Sequence, residues 1–148
     1  AKQSSGAQRE ATEKTPLKPD TLSRGQLIEQ GDAICTESQD TYRTYLDRFP
    51  SGEGEPDVIY SRLLVGISSK AINRFNALRP PPSLEKPFDE YVKAQEQVGQ
   101  WDRDALRAAE AEDTTAYLTA REDRDSTAEE RRQLAEDVGF RECSGSEL

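Results

Sequence analysis

Apolar residues recur at three- and four-residue intervals in four separate stretches of this chain, and each stretch is bounded by residues that start or stop helices. The first opens with Ser23-x-x-Gln26, a capping box, and Leu22 before the cap is placed to staple onto Leu27. From there Leu27, Gly31, Ile34, Ser38, Tyr42, Tyr45 and Phe49 form one stripe, flanked by Ile28, Cys35 and Leu46. Pro50-Ser51-Gly52-Glu53-Gly54 ends it.

A second helix is predicted from Pro56, a residue suited to the first helical position, to Leu78, along Tyr60, Leu64, Ile67, Ala71 and Phe75. Pro80-Pro81-Pro82 forbids its continuation. A third, from about Pro87 to Ala111, carries Phe88, Tyr91, Ala94, Val98, Trp101, Ala105 and Ala108 on one face, with Gly99 lowering its helix propensity. The fourth starts with Asp113 as a cap and passes Tyr117, Leu118, Ala128, Leu134, Ala135 and Val138 to Gly139, where a left-handed residue would sit. Its stripe is the poorest of the four. Arg121-Glu122-Asp123-Arg124-Asp125 places charge all round the helix, so its middle is expected to face solvent or to be only partly covered.

Four such helices with short or Pro/Gly-marked connections fold most simply as an all-α, antiparallel up-down-up-down four-helix bundle over residues 22–148. Nothing in the pattern alternates with period two between hairpin turns, so a sheet is disfavoured. Residues 1–21 are different in kind. Leu17 is their one large aliphatic side chain amid Ser, Gln, Lys, Glu and two prolines, too little to offset the entropy of ordering, and they are expected to form a disordered N-terminal tether. The apolar fraction of 33%, about 39% with the glycines added, falls below the ~45–50% of an average domain and agrees with part of the chain being unfolded.

Charge and composition remove several functions. A net charge of -9 argues against nucleic acid, whose phosphates are bound by clustered Lys and Arg. The same field opposes adsorption to an anionic membrane, leaving an N-terminal lipid anchor as the expected route to one. Histidine and methionine are both absent. That excludes Ser-His-Asp and Cys-His catalysis, His-containing zinc sites and His or Met haem ligation, and no cofactor is expected. A chain without methionine is also expected to begin after processing or truncation, and a tether at its start suits an exported protein just past its cleavage site.

The only two cysteines, Cys35 in the first helix and Cys143 in the tail, bracket nearly all the patterned sequence. An up-down-up-down bundle returns the end of the fourth helix to the end where the first began, so the tail can reach Cys35. Two unrelated thiols are the alternative; an even count with one partner in a tail favours pairing in an oxidising compartment. Closing a 108-residue loop would stabilise the fold by at most about 4.8 kcal/mol on the chain-entropy model.

Ala33-Ile34-Cys35 in the first helix, the proline-bounded centre Arg79-Pro80-Pro81-Pro82, and Gly139-Phe140-x-x-Cys143 resemble the small exported or lipid-anchored helical proteins of actinobacteria. Phe140 and Ser144 stand where that pattern has leucine and glycine. The resemblance implies export, a helical bundle and a paired Cys35 and Cys143, and it implies no reaction.

Two functional classes follow. The first is a non-catalytic, monomeric cell-envelope module, secreted or lipid-anchored, that binds a protein or small-molecule partner. Its candidate groove residues are Tyr42, Tyr45, Tyr60, Trp101 and Tyr117, whose apolar bodies and polar tips suit a half-wet cleft, though a bundle core needs aromatics at this spacing anyway. The alternative is a glycan hydrolase using carboxylates such as Glu90 and Glu96, or Glu110, Glu112 and Asp113, which requires two carboxyls at fixed separation with one desolvated. A calcium loop at Asp123-Arg124-Asp125 fails, because Ala128 occupies the position that needs glycine and Leu134 the position that needs glutamate.

Overall fold

The computed structural model describes residues 21–49 and 55–148. The tether expected over residues 1–21 lies outside these save for Thr21, as does the helix stop at 50–54. The described residues form four helices, α1 (Arg24–Arg48), α2 (Val58–Asn76), α3 (Glu85–Glu110) and α4 (Thr114–Val138), with a 3-10 turn at Pro82–Leu84 before α3.

The boundaries follow local chemistry. Ser23 and Gln26 complete the capping box reciprocally, the Gln26 N–H donating to Ser23 Oγ at 3.1 Å and the Ser23 N–H to Gln26 Oε1 at 2.9 Å. Asp113 caps α4 through the Ala116 N–H, and Gly139 ends it at φ 106°, a left-handed conformation that costs glycine nothing. Two helix starts differ from the sequence reading, and α2 ends at Asn76, two residues before the expected Leu78. Asp57 accepts the Tyr60 N–H at 2.9 Å, and this side-chain cap starts α2 at Val58 and leaves Pro56 before it. At the start of α3 the 3-10 turn feeds straight into the helix, so α3 begins at Glu85 and Pro87 sits in its first turn, where the missing N–H has no intrahelical partner to lose.

Consecutive helices pack antiparallel. Along α3 and α4, Gln95 meets Arg131, Trp101 meets Thr127 and Asp102 meets Arg124, the partners descending α4 as they ascend α3. Phe75–Tyr91 and Ser68–Asp102 set the same sense for α2 and α3, and Glu37–Lys70 and Tyr42–Tyr60 for α1 and α2. Helix contacts run α1 to α2, α2 to α3 and α3 to α4. The C-terminal tail bridges α1 and α4. Its Phe140, Cys143, Ser146 and Leu148 are buried.

A disulfide joins Cys35 to Cys143, with Cα atoms 5.2 Å apart, and closes the bundle. Around it lies the main core: Leu27 and Ile34 of α1, Ala71 and Phe75 of α2, Phe88 and Tyr91 of α3, Ala135 and Val138 of α4, and Phe140. Asp32 holds the tail beside the bridge, its carboxylate accepting the backbone N–H groups of Arg141 at 3.0 Å and Glu142 at 2.9 Å.

The middle of α4 is only partly covered, as expected, but the face it buries carries charge. Arg124 and Arg131 are each only 5% exposed, although Glu122 and Asp125 beside Arg124 face water. Tyr117, Ala120, Arg124, Ala128, Arg131, Ala135 and Val138 recur at helical spacing and form one continuous buried stripe. The two arginines interrupt its hydrophobicity without interrupting its burial, because α3 presents Asp102 and Gln95 to them. Phe49, assigned to the α1 stripe, is 55% exposed: it is the C-cap residue, beyond the point where helical phase fixes its direction.

Candidate functional site

Three of the five aromatics proposed for a groove come together. Tyr42 and Tyr60 share a hydrogen bond between hydroxyls at 3.1 Å, and the Tyr45 ring lies 6.4 Å from that of Tyr60. They pack with Leu64 and Leu148 between α1, α2 and the tail. Arg121 of α4 covers Tyr60, its guanidinium carbon 5.1 Å from the ring centroid and Nη2 donating to the phenol oxygen at 3.3 Å. Burial, then the bond to Tyr42, pushes the Tyr60 phenol up to about 12. Trp101 and Tyr117 lie elsewhere. Trp101 donates to Thr127 Oγ1 at 3.0 Å across α3 and α4, and Tyr117 is buried among Ala105, Ala108, Ala109 and Ala120.

The groove itself is next to this cluster, and none of the five aromatics lines it. Between α1 and α2 runs an open cleft of about 260 Å³, close to the lower end of the ~300–1,000 Å³ typical of small-molecule pockets. Ile34, Leu63, Ile67 and Ala71 supply its apolar surface, and Arg62, Lys70 and Arg74 stand along it from α2. Glu37 of α1 faces two of these cations. Lys70 Nζ donates to Glu37 Oε2 at 2.6 Å and Arg74 to Oε1, and these bonds, Lys70 first, hold the Glu37 carboxyl below the usual carboxylate range. Arg62 is less firmly held: its contact is to Glu110 at 3.5 Å, with both side chains about half exposed or more.

Chain spacing carried a signal for this cleft. Arg62, Gly66, Lys70 and Arg74 follow one another every four residues on α2, beside the Leu63–Ile67 edge of the apolar stripe. A search for aromatic pairs passes over it, since its surface is aliphatic and cationic.

A second polar constellation lies inside the bundle. Asp102, 1% exposed, accepts from Arg124 Nε at 2.8 Å on one oxygen and from the Ser68 hydroxyl on the other. One layer away, Arg131 donates to Gln95 Oε1 at 2.8 Å and to the Leu148 backbone oxygen. Burial pulls the Arg131 guanidinium down to about 10. A cavity of about 20 Å³ touches Ser68, Gln95, Arg124 and Arg131, room for about one water and too little for a ligand. Both Asp102 oxygens are engaged by neighbouring side chains, which makes this group a structural tie.

The carboxylates weighed for hydrolysis occupy a different setting. Glu90, Glu96, Glu110, Glu112 and Asp113 are all exposed, and Asp113 is committed to capping α4. Among the described residues no three His, Cys, Asp or Glu side chains are grouped to hold a metal ion, and no helix is long and apolar enough to cross a membrane. The chain matches no family model, no curated protein and no solved structure.

Proposed function

We propose that this protein is an exported, non-catalytic cell-envelope module that binds its partner through the α1–α2 face. The observation that carries the reading is the cleft between these helices. It combines an aliphatic surface with cations in a chain of net charge -9, whereas the cavity beside Ser68, Gln95, Arg124 and Arg131 has room for about one water. The reading of export rests on the Cys35–Cys143 bridge, since such bonds persist in oxidising compartments, and on the resemblance of the AIC and GFxxC motifs to exported actinobacterial proteins. Exposed carboxylates favour binding over hydrolysis, because an acid catalyst needs one carboxyl shielded from water.

The test has two arms. Fractionation of the producing cells, with thiols blocked before any reductant is added, is expected to recover the protein outside the cytosol with neither cysteine modified. Cytosolic protein carrying two blocked thiols would refute export. In the second arm, amide chemical shifts are followed while small amphiphilic fragments are added to the purified chain. Saturable shifts centred on Ile34, Thr41, Leu63 and Ile67 are expected, and an unchanged α1–α2 face across the whole set would overturn the binding assignment.

A further inference from the structure

Gly66 is the least explained residue of the α1–α2 cleft. It stands inside α2, where glycine weakens a helix by up to ~1 kcal/mol relative to alanine. Packing gives no reason for it. A Cβ built on Gly66 meets no heavy atom within 4 Å, whereas at Gly31 the same atom would collide with Phe140. The absent side chain therefore leaves open space on the cleft wall. It also separates Arg62 from Lys70, which lie one helical turn to either side of it.

Resting on the reading of this face as a binding surface, we infer that the cleft takes the alkyl chain of a long-chain carboxylate, with the head group at Arg62. Three features select this class. Ile34, Leu63, Ile67 and Ala71 offer a strip of aliphatic surface without aromatic faces for a planar ring to stack on, which fits a narrow flexible chain. The charge along the cleft is three cations, Arg62, Lys70 and Arg74, to one carboxylate, Glu37, the reverse of the balance over the whole chain. This same wall already binds one carboxylate: both Glu37 oxygens are held, one by Lys70 and one by Arg74. Lys70 and Arg74 are thus occupied. Arg62, with its long contact to exposed Glu110, is the cation left to receive a second carboxylate, and its planar fork suits two parallel bonds to it.

Decanoate and the uncharged decanol are the probes, each titrated into the intact chain while amide shifts are recorded. Decanoate should bind saturably, with the largest shifts at Ile34, Leu63, Gly66 and Ile67, and more tightly than decanol. Gly66→Leu starts from a Cβ that meets no heavy atom within 4 Å and adds bulk to the cleft wall, and it should abolish binding of both probes, with a thermal midpoint at or above that of the parent chain to show that the bundle is intact. Arg62→Gln should weaken decanoate by about three- to fivefold, the upper range for an exposed ion pair, and leave decanol unchanged. Equal binding of decanol and decanoate, or no effect of Arg62→Gln, would overturn the carboxylate assignment while leaving the binding face in place. Failure of both probes to bind would overturn the face as well, and undiminished binding in Gly66→Leu would overturn the site.

Discussion

The ring of Phe140 occupies the volume that a side chain on Gly31 would fill: a Cβ built there lies 2.3 Å from ring atom Cε1. This contact lets the tail enter the bundle, where Phe140 meets Phe75, Phe88 and Tyr91 at centroid distances of 6.2, 6.4 and 5.3 Å. The disulfide and the Asp32 clasp hold the tail covalently and by hydrogen bonds, but the aromatic contact needs a smooth patch of helix on α1 to lie against.

Gly31→Ala therefore sets two effects against each other. Alanine raises helix propensity by up to ~1 kcal/mol, while the displaced ring and its three aromatic neighbours resist by roughly 1–3 kcal/mol of overpacking strain. A net loss of stability is expected. Gly66→Ala, made where nothing is in contact, isolates the propensity term and should stabilise by up to ~1 kcal/mol. Urea unfolding of the two variants beside the parent checks this; equal shifts in the same direction would show that Phe140 does not press on Gly31.

Asp102 and Arg124 make the other structural tie. The carboxylate is fully buried, and its two oxygens are divided between Arg124 and Ser68. Asp102→Asn or Arg124→Met alone leaves one charge buried without its partner and is expected to cost about 3–5 kcal/mol. The double variant should cost much less than the sum, because neither charge then remains. A double-mutant cycle in urea unfolding measures this coupling, and additive losses would mean that the two groups are solvated independently.

Those residues also show what could be read before the fold was known. Ser23–Gln26, Asp113 and Gly139 act through the backbone within a few positions of themselves, so their roles were legible in order along the chain. So was the Cys35–Cys143 bridge, whose position followed once four helices were placed. Arg124, Arg131, Asp102 and Gln95 were not legible, because a charged residue on a helical stripe reads as solvated until the opposite charge is known to face it. On α3 the buried line runs through Asp102, and Trp101 beside it is only partly buried, a shift of one residue that hydrophobicity alone points the wrong way. The cleft was hidden for a related reason. It is created by an omission at Gly66 and by the spacing of two helices, and an apolar pattern records neither.

Tyr91 gives the bundle a testable response to alkali. Its hydroxyl lies 3.5 Å from the Cys35 sulfur, and burial pushes the phenol up to about 12, a rise that Arg131 partly opposes. An unfolded tyrosine releases its proton near pH ~10. Between about 10 and 12 the folded chain therefore holds a proton that the unfolded chain has lost, so the Tyr91 contribution is complete below pH ~10 and declines as pH rises through 12. Arg131 works in the opposite sense, since burial lowers its folded value to about 10 and the folded chain loses that proton first. The parent response mixes both terms. Tyr91→Phe removes the declining one and, by taking away the phenol that raises the Arg131 value, strengthens the rising one, so the stability difference between parent and variant should move in favour of the variant by at least roughly 1 kcal/mol from pH ~9 to pH ~11. Urea midpoints at the two pH values provide the measurement. A difference that stays constant would mean that the Tyr91 phenol ionises equally in folded and unfolded chains, and hence that water reaches it beside the disulfide.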